Sequence, residues 1–202
     1  MQTITTKTDV FEFSELSYSA KQTAMQWYCD TPDAFWAEYV LTCAKEIGAL
    51  MGFAIEDIYY SGFSSQGDGA CFTGSIRYAK SCAKNVKAHA PNDKELQWIA
   101  QEWQDLQKRN FYSLRASVKH RGHYYHELCT TFDCEDTRRN YGWLQNESTE
   151  DGIKEISRDF MRWIYRQLES AYEYETSEEN ISEACEINEW RFTEDGKFLG
   201  VK

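Results

Sequence analysis

Residues 54–78 read AIEDIYYSGF, then SSQGDG, then ACFTGSIRY. The two flanks, 54–63 and 70–78, are dense in aromatic and β-branched side chains, and the loop between them carries Gly67 and Gly69. Two such runs around a short glycine-bearing loop predict an antiparallel β-hairpin. A second pair, FYSLRASVKHR over 111–121 and HYYHELCTTFD over 123–133, repeats the pattern about Arg121-Gly122. A two-residue turn there places His120 and His123 opposite each other on one face. EWRFTEDGKFL, over 189–199, suggests a third hairpin about Asp195-Gly196. Strands that arrive in hairpin pairs, and not alternately with single helices, point to an α+β fold with an antiparallel sheet.

Helices fill the intervals. From 35 to 51, Trp36, Val40, Cys43, Ile47 and Leu50 recur at helical spacing, with Gly52 where a left-handed terminal residue belongs. Asn92 or Asp93 is placed to cap a helix whose inner face is Leu96, Ile99, Trp103 and Leu106. Ile153, Ile156, Phe160, Trp163 or Ile164, and Leu168 mark a long helix from Asp151. Helices over 35–51, 94–109 and 152–170 are expected to pack on one sheet holding the first two hairpins. Shorter helices are expected from Ser17, its N-cap, to Cys29, over 80–90, and around 181–187. Asp30-Thr31-Pro32 should break the first of these, with Thr31 or Asp33 opening the next. Val10-Phe11-Glu12-Phe13 alternates like a short strand, and the polar stretch 135–150 reads as a long loop.

The 202 residues, 42% of them hydrophobic and 15% aromatic, suffice for a core and suggest a single domain over 1–202. No stretch approaches the roughly 20 consecutive apolar residues of a membrane span, so no membrane partner is expected. MQTITTKTDVFEF lacks the apolar stretch of a signal peptide, which predicts a cytoplasmic protein. Seven cysteines without a CxxC pair read as reduced, mostly buried thiols, and no cofactor is implied. The net charge of −11 is unevenly spread: residues 77–126 hold 10 basic and 4 acidic side chains, whereas 1–76 hold 3 and 10. Residues 133–202 hold 9 basic and 18 acidic side chains, so a basic middle lies between acidic arms.

Two stretches hold chemistry-bearing side chains. In the loop Ser64-Ser65-Gln66-Gly67-Asp68-Gly69, glycines and free N–H groups suit a binding loop or a small anion nest. Asp68 and Cys71 are its candidate acid/base and nucleophile, but the loop lacks the GK[ST] of a phosphate loop. A plain hairpin turn accounts for its glycines equally. The second stretch is Lys119-His120-Arg121-Gly122-His123-Tyr124-Tyr125-His126. Its basic and aromatic residues suit phosphate contacts and base stacking, or simply an exposed hairpin tip. His120 and His123 with Asp68 are the ligand set of a metal-dependent hydrolase or nuclease, although two histidines alone fall short of a metal site.

VFEFSEL, IYYSGFSSQGDGACFTG and ASVKHRGHYYHE together resemble a family of phage and prophage proteins, some labelled antitoxins of toxin–antitoxin stability systems. The resemblance runs from about residue 10 to 195 and implies a mobile-element origin, with no catalytic residues to carry over. It leads to the expectation of a non-enzymatic binding protein that neutralises a host or competitor protein. Such a partner includes nucleic-acid-processing defence proteins, engaged in an anti-CRISPR-like or antitoxin-like manner. The expected contact residues are Ser65, Gln66, Asp68, Lys119, His120, Arg121, His123 and Tyr124. The alternatives are the metal-dependent hydrolase and a direct nucleic-acid binder acting through the basic middle.

Overall fold

A computed structural model describes residues 8–30, 35–138 and 146–201. The expected helix break at Thr31 and Pro32, the cap at Asp33 and residues 139–145 of the polar stretch lie outside the described residues. The helices are α1 (Tyr18–Asp30), α2 (Phe35–Met51), α3 (Cys82–His89), α4 (Lys94–Arg109), α5 (Glu147–Glu175) and α6 (Glu178–Ile187). The strands are β1 (Phe53–Tyr60), β2 (Ala70–Arg77), β3 (Leu114–His120), β4 (Thr130–Asp136), β5 (Trp190–Phe192) and β6 (Phe198–Val201). The protein is α+β, as its hairpin pattern predicts. It divides into two compact units, Ala37–Glu169 and Met1–Trp36 with Ser170–Lys202.

In the first unit, β1 to β4 form one antiparallel sheet in sequence order. Phe53 pairs with Ile76, Gly74 with Val118 and Ala116 with Cys134, so both predicted hairpins share that sheet. Gly52 has φ +94 and receives the N–H of Arg77 at 3.0 Å, and a Cβ there would lie 2.0 Å from the Arg77 carbonyl oxygen. That single position both ends α2 and starts β1. Asp93 is the cap of α4, accepting the Leu96 N–H at 2.8 Å. Its other oxygen accepts the Trp163 indole N–H at 2.7 Å, which ties α5 to the start of α4.

The core centres on Phe53, whose ring meets Trp103 of α4 at 5.4 Å and Phe160 of α5 at 5.8 Å, both edge-on. Trp103 is fully buried and donates its indole N–H to the Met51 carbonyl at 3.0 Å. Buried Gln107 extends the ladder with a side chain: its amide donates to Leu114 O at 2.9 Å and accepts from Leu114 N at 3.2 Å. The buried face of α2 is turned from the expected one. Ala37, Ala44, Ile47 and Met51 are buried, while Val40, Cys43 and Leu50 are only half-buried. The small alanines allow close approach, which a count of large apolar residues does not register.

The second hairpin differs from expectation. β3 and β4 are joined by residues 121–129 and not by a two-residue turn, so His120 pairs with Thr130 and His123 lies within the loop. Gly122 does bend the chain, at φ +97, but the strand resumes only after a 3₁₀ turn, Glu127–Cys129. His126 caps that turn by accepting the Leu128 N–H at 3.1 Å.

The second unit gathers α1, α6, the β5–β6 hairpin and a 3₁₀ turn, Phe13–Glu15. The alternation at residues 10–13 yields a single bridge, Phe11 to Phe192, before the chain coils. Glu15 accepts the Glu12 N–H at 2.8 Å and so ends the extension. Ser17 caps α1 through the Ala20 N–H at 3.3 Å. Phe13, Leu16, Ala20, Ala24, Ile181, Cys185 and Phe192 form this unit's core.

Candidate functional site

Antiparallel pairing puts the β1–β2 loop and the β3–β4 loop at the same end of the sheet. They touch there. A Cβ on Gly69 would lie 2.5 Å from the His126 Cβ, and one on Gly67 would lie 3.4 Å from the Tyr124 ring. Gln66, Gly67, Asp68, Tyr124, His126 and Glu127 line a shallow depression of about 560 Å³ between the two loops. Tyr59 of β1 stacks on Tyr125 at 5.6 Å, and His120 lies 5.4 Å from Tyr59 and 5.2 Å from Tyr125. Helix α5 braces both loops. Tyr165 donates its hydroxyl to Gly62 O at 3.0 Å, and Arg162 pairs with Glu127 at 3.2 Å.

The polar groups that chemistry would need are engaged in this bracing. The Asp68 carboxylate accepts the N–H of Ser65 at 2.6 Å and of Ser64 at 3.1 Å. The nest of free N–H groups thus exists and is filled by the loop's own carboxylate. Those backbone bonds, Ser65 first, hold Asp68 below the ordinary carboxylate range, which suits a brace and not a general acid. His120 Nε2 faces the Tyr124 carbonyl at 2.9 Å, and a carbonyl only accepts, so that nitrogen is the donor.

His126 accepts at Nδ1 from the Leu128 N–H, so its ring proton sits on Nε2, which faces Cys129 Sγ at 3.4 Å. That pairing gives the thiol a donor and no base. Cys71, the expected nucleophile, is fully buried, and burial pushes its thiol up to about 12. A thiol in that state is inert. All seven cysteines are free, four of them buried.

The expected site residues therefore fall into two groups. Ser65, Gln66, Asp68 and Tyr124 belong to the joined loops, His120 ends β3 and bonds to the second of them, and exposed Arg121 and His123 lie on that second loop. Lys119 stands apart on the open face of the sheet, paired with Asp133 of β4 at 3.0 Å. His120, His123 and Asp68 do not form a ligand set: among the described residues no group of three His, Cys, Asp or Glu side chains is placed to hold a metal ion. The sequence reading missed Tyr59, Glu127, Leu128, Arg162 and Tyr165. Their roles depend on the longer loop and on α5 packing beneath it, and neither carries a local signal. Among the described residues no helix is long and apolar enough to cross a membrane.

No curated protein and no solved structure matches the chain. The sequence model of one family, described as a domain of unknown function (DUF8835), matches residues 36–178, which includes the whole four-stranded sheet and the helices around it. That match spans well over half of the chain, and the protein belongs to the DUF8835 family.

Proposed function

We propose that the protein is a non-enzymatic binding protein that neutralises a partner protein through the ridge formed by its two joined loops. The observation that carries this reading is the internal satisfaction of the ridge: Asp68, His120, His126 and Glu127 all brace backbone or neighbouring side chains. What the ridge presents outward is Ser65, Gln66 and His123, with Tyr124 at 63% and Leu128 at 61% exposure. Exposed tyrosine on a pre-ordered loop offers large contact area at small entropic cost, which is how interface anchors work. The resemblance to phage and prophage proteins supports a host or competitor protein as the partner, including a nucleic-acid-processing defence protein.

The test is affinity capture from a host lysate with the wild-type chain and a Tyr124→Ala/Leu128→Ala variant as baits. Both side chains are exposed, so the variant keeps its stability to within about 0.5 kcal/mol. A partner held by the wild type and lost by the variant supports the reading. Identical capture by both baits overturns it.

A further inference from the structure

At the end of the sheet away from the loop ridge, α4 passes into β3 through Asn110-Phe111-Tyr112-Ser113. Phe111 and Tyr112 have φ of +56 and +59, two successive positions in the left-handed region, where a bulky side chain is an outlier. The turn itself is held by main-chain bonds that any residue but proline makes. Tyr112 N–H reaches Gln107 O at 2.7 Å, and Ser113 N–H reaches Asn110 O at 3.2 Å. Glycine would enter this backbone without strain. The sequence instead places two aromatic rings there, 74% and 48% exposed. Tyr112 rests on the Tyr78 ring at 4.6 Å, and Phe111 meets the Arg138 guanidinium at 4.7 Å. An exposed phenyl ring kept on a backbone that disfavours it adds little to the fold. Strained positions of this kind cluster where a chain meets a ligand or a partner.

The charge around these rings is positive. Arg77, next to Tyr78 in the chain, faces Arg115 across β2 and β3, and Lys108 and Arg109 end α4 just before Phe111. All four are exposed. Glu135 stands opposite Arg115, but among the described residues none of the four is in an ion pair, whereas Arg138 is engaged with Asp136. The positive patch is short. Along β3 it ends at the Lys119–Asp133 pair, and along α4 at Asp105. A nucleic-acid chain running past it meets carboxylates, while a few acidic residues of a peptide end within it. Guanidinium groups match carboxylates, and an exposed ring beside them takes an apolar side chain.

We propose that Phe111 and Tyr112, with the cations Arg77, Lys108, Arg109 and Arg115, are a docking surface for a short acidic segment of a partner protein. An apolar side chain of that segment lies on the Phe111 ring, and its carboxylates pair with the cations. This surface is separate from the loop ridge at the other end of the sheet, and either stands without the other.

The test pans a library of short random peptides against the full chain and measures the affinity of the selected peptides by fluorescence anisotropy. Selected peptides are expected to carry an acidic run with an aromatic or aliphatic residue. Phe111→Gly is expected to weaken their binding about tenfold, while its melting temperature rises by about 2 °C as the left-handed strain is relieved. A loss of affinity in a variant that has become more stable does not come from unfolding. Arg77→Glu/Arg115→Glu is the second variant, with at least the same expected loss. Tyr124→Ala/Leu128→Ala, on the loop ridge, is expected to bind the peptides like the wild type. The proposal is overturned if the library yields no acidic peptide, if Phe111→Gly binds like the wild type or melts lower, or if the ridge variant loses the peptides. It is also overturned if a labelled single-stranded oligonucleotide outbinds the peptides at about 200 mM salt, which assigns the surface to nucleic acid. Light scattering covers a second copy as occupant: a wild-type oligomer that Phe111→Gly reduces to a monomer overturns the proposal as well.

Discussion

Replacing Gly69 by alanine tests whether the two loops are one structure. The new Cβ would lie 2.5 Å from the His126 Cβ and 2.7 Å from its Cα. Carbon atoms rest at about 3.5–4.0 Å, so one loop must retreat by roughly an ångström. The obstacle is main chain and Cβ, which cannot swing aside as the end of a long side chain can. Gly69 is also fixed from its own side, since it receives the Ser61 N–H at 3.1 Å and donates to the Ser61 hydroxyl at 3.3 Å. Overpacking of this kind costs about 1–3 kcal/mol, and chemical denaturation of Gly69→Ala should show that loss. The strain should also travel. Hydrogen exchange should quicken at the Cys129 and Arg121 amides, whose acceptors, His126 O and Cys129 O, lie in the displaced loop. Gly122→Ala is the control: its Cβ meets nothing within 4 Å, but φ is +97, so its cost is conformational and stays in its own loop. That variant should leave the Ser64 and Ser65 amides untouched. A loss below about 0.5 kcal/mol in Gly69→Ala, with unchanged exchange at Cys129, would refute the contact and the ridge built on it.

Three further outcomes follow from the same geometry. Gln107→Leu leaves the Leu114 N–H and C=O buried without their side-chain partners, and should cost about 2–5 kcal/mol in denaturant unfolding. Asp136, buried and bound by Arg138 through Nε at 3.0 Å and Nη2 at 2.6 Å, is held well below the carboxylate range by that guanidinium. A depressed acid contributes stability above its unfolded value, about 3.9, and loses it as pH falls through the folded value. Acid titration of the wild type should therefore steepen below about pH 4, and Asp136→Asn should be less stable at neutral pH and flatter in acid. Alkylation with iodoacetamide under native conditions should modify exposed Cys29 first and spare Cys71, Cys82, Cys134 and Cys185; rapid labelling of Cys71, read by mass spectrometry, would reinstate it as a nucleophile.

The parts of the fold legible in the sequence are those written in local pattern. The first hairpin, the cap at Asp93, the left-handed Gly52 and the apolar faces of α4 and α5 all have short-range signatures, and each lies where that signature places it. The β3–β4 connection failed for a physical reason. HYYHELC is rich in aromatic residues as a strand is, but His126 spends its side chain on the Leu128 N–H and turns the chain into a 3₁₀ coil. Competition between a side-chain acceptor and the strand ladder is decided by three-dimensional context. The candidate site was legible only as two separate loops. That they meet follows from strand order and register, fixed by pairs such as Gly74 with Val118, far apart in sequence.

The charge pattern shows the same limit and bears on the nucleic-acid reading. In sequence, Arg115, Lys119 and Arg121 stand in a basic middle that precedes the acidic stretch 133–202. In the sheet, Arg115 is directly opposite Glu135, and Lys119 is paired with Asp133. Neighbouring strands lie about 4.8 Å apart, inside the Debye length of about 8 Å at physiological salt. The carboxylates of β4 are therefore not screened from the cations of β3, and a phosphate chain laid on that face would meet both signs. Arg77 and Arg115, a like-charged pair across β2 and β3, leave one basic end to the stripe. A surface of alternating sign is suited to a protein face of complementary alternation and poorly suited to a uniform polyanion. Labelled single- and double-stranded DNA and RNA should accordingly bind weakly at about 50 mM salt and not at about 200 mM. Asp133→Asn, which frees Lys119, should raise the low-salt binding, and tight binding by the wild type at the higher salt would defeat this argument.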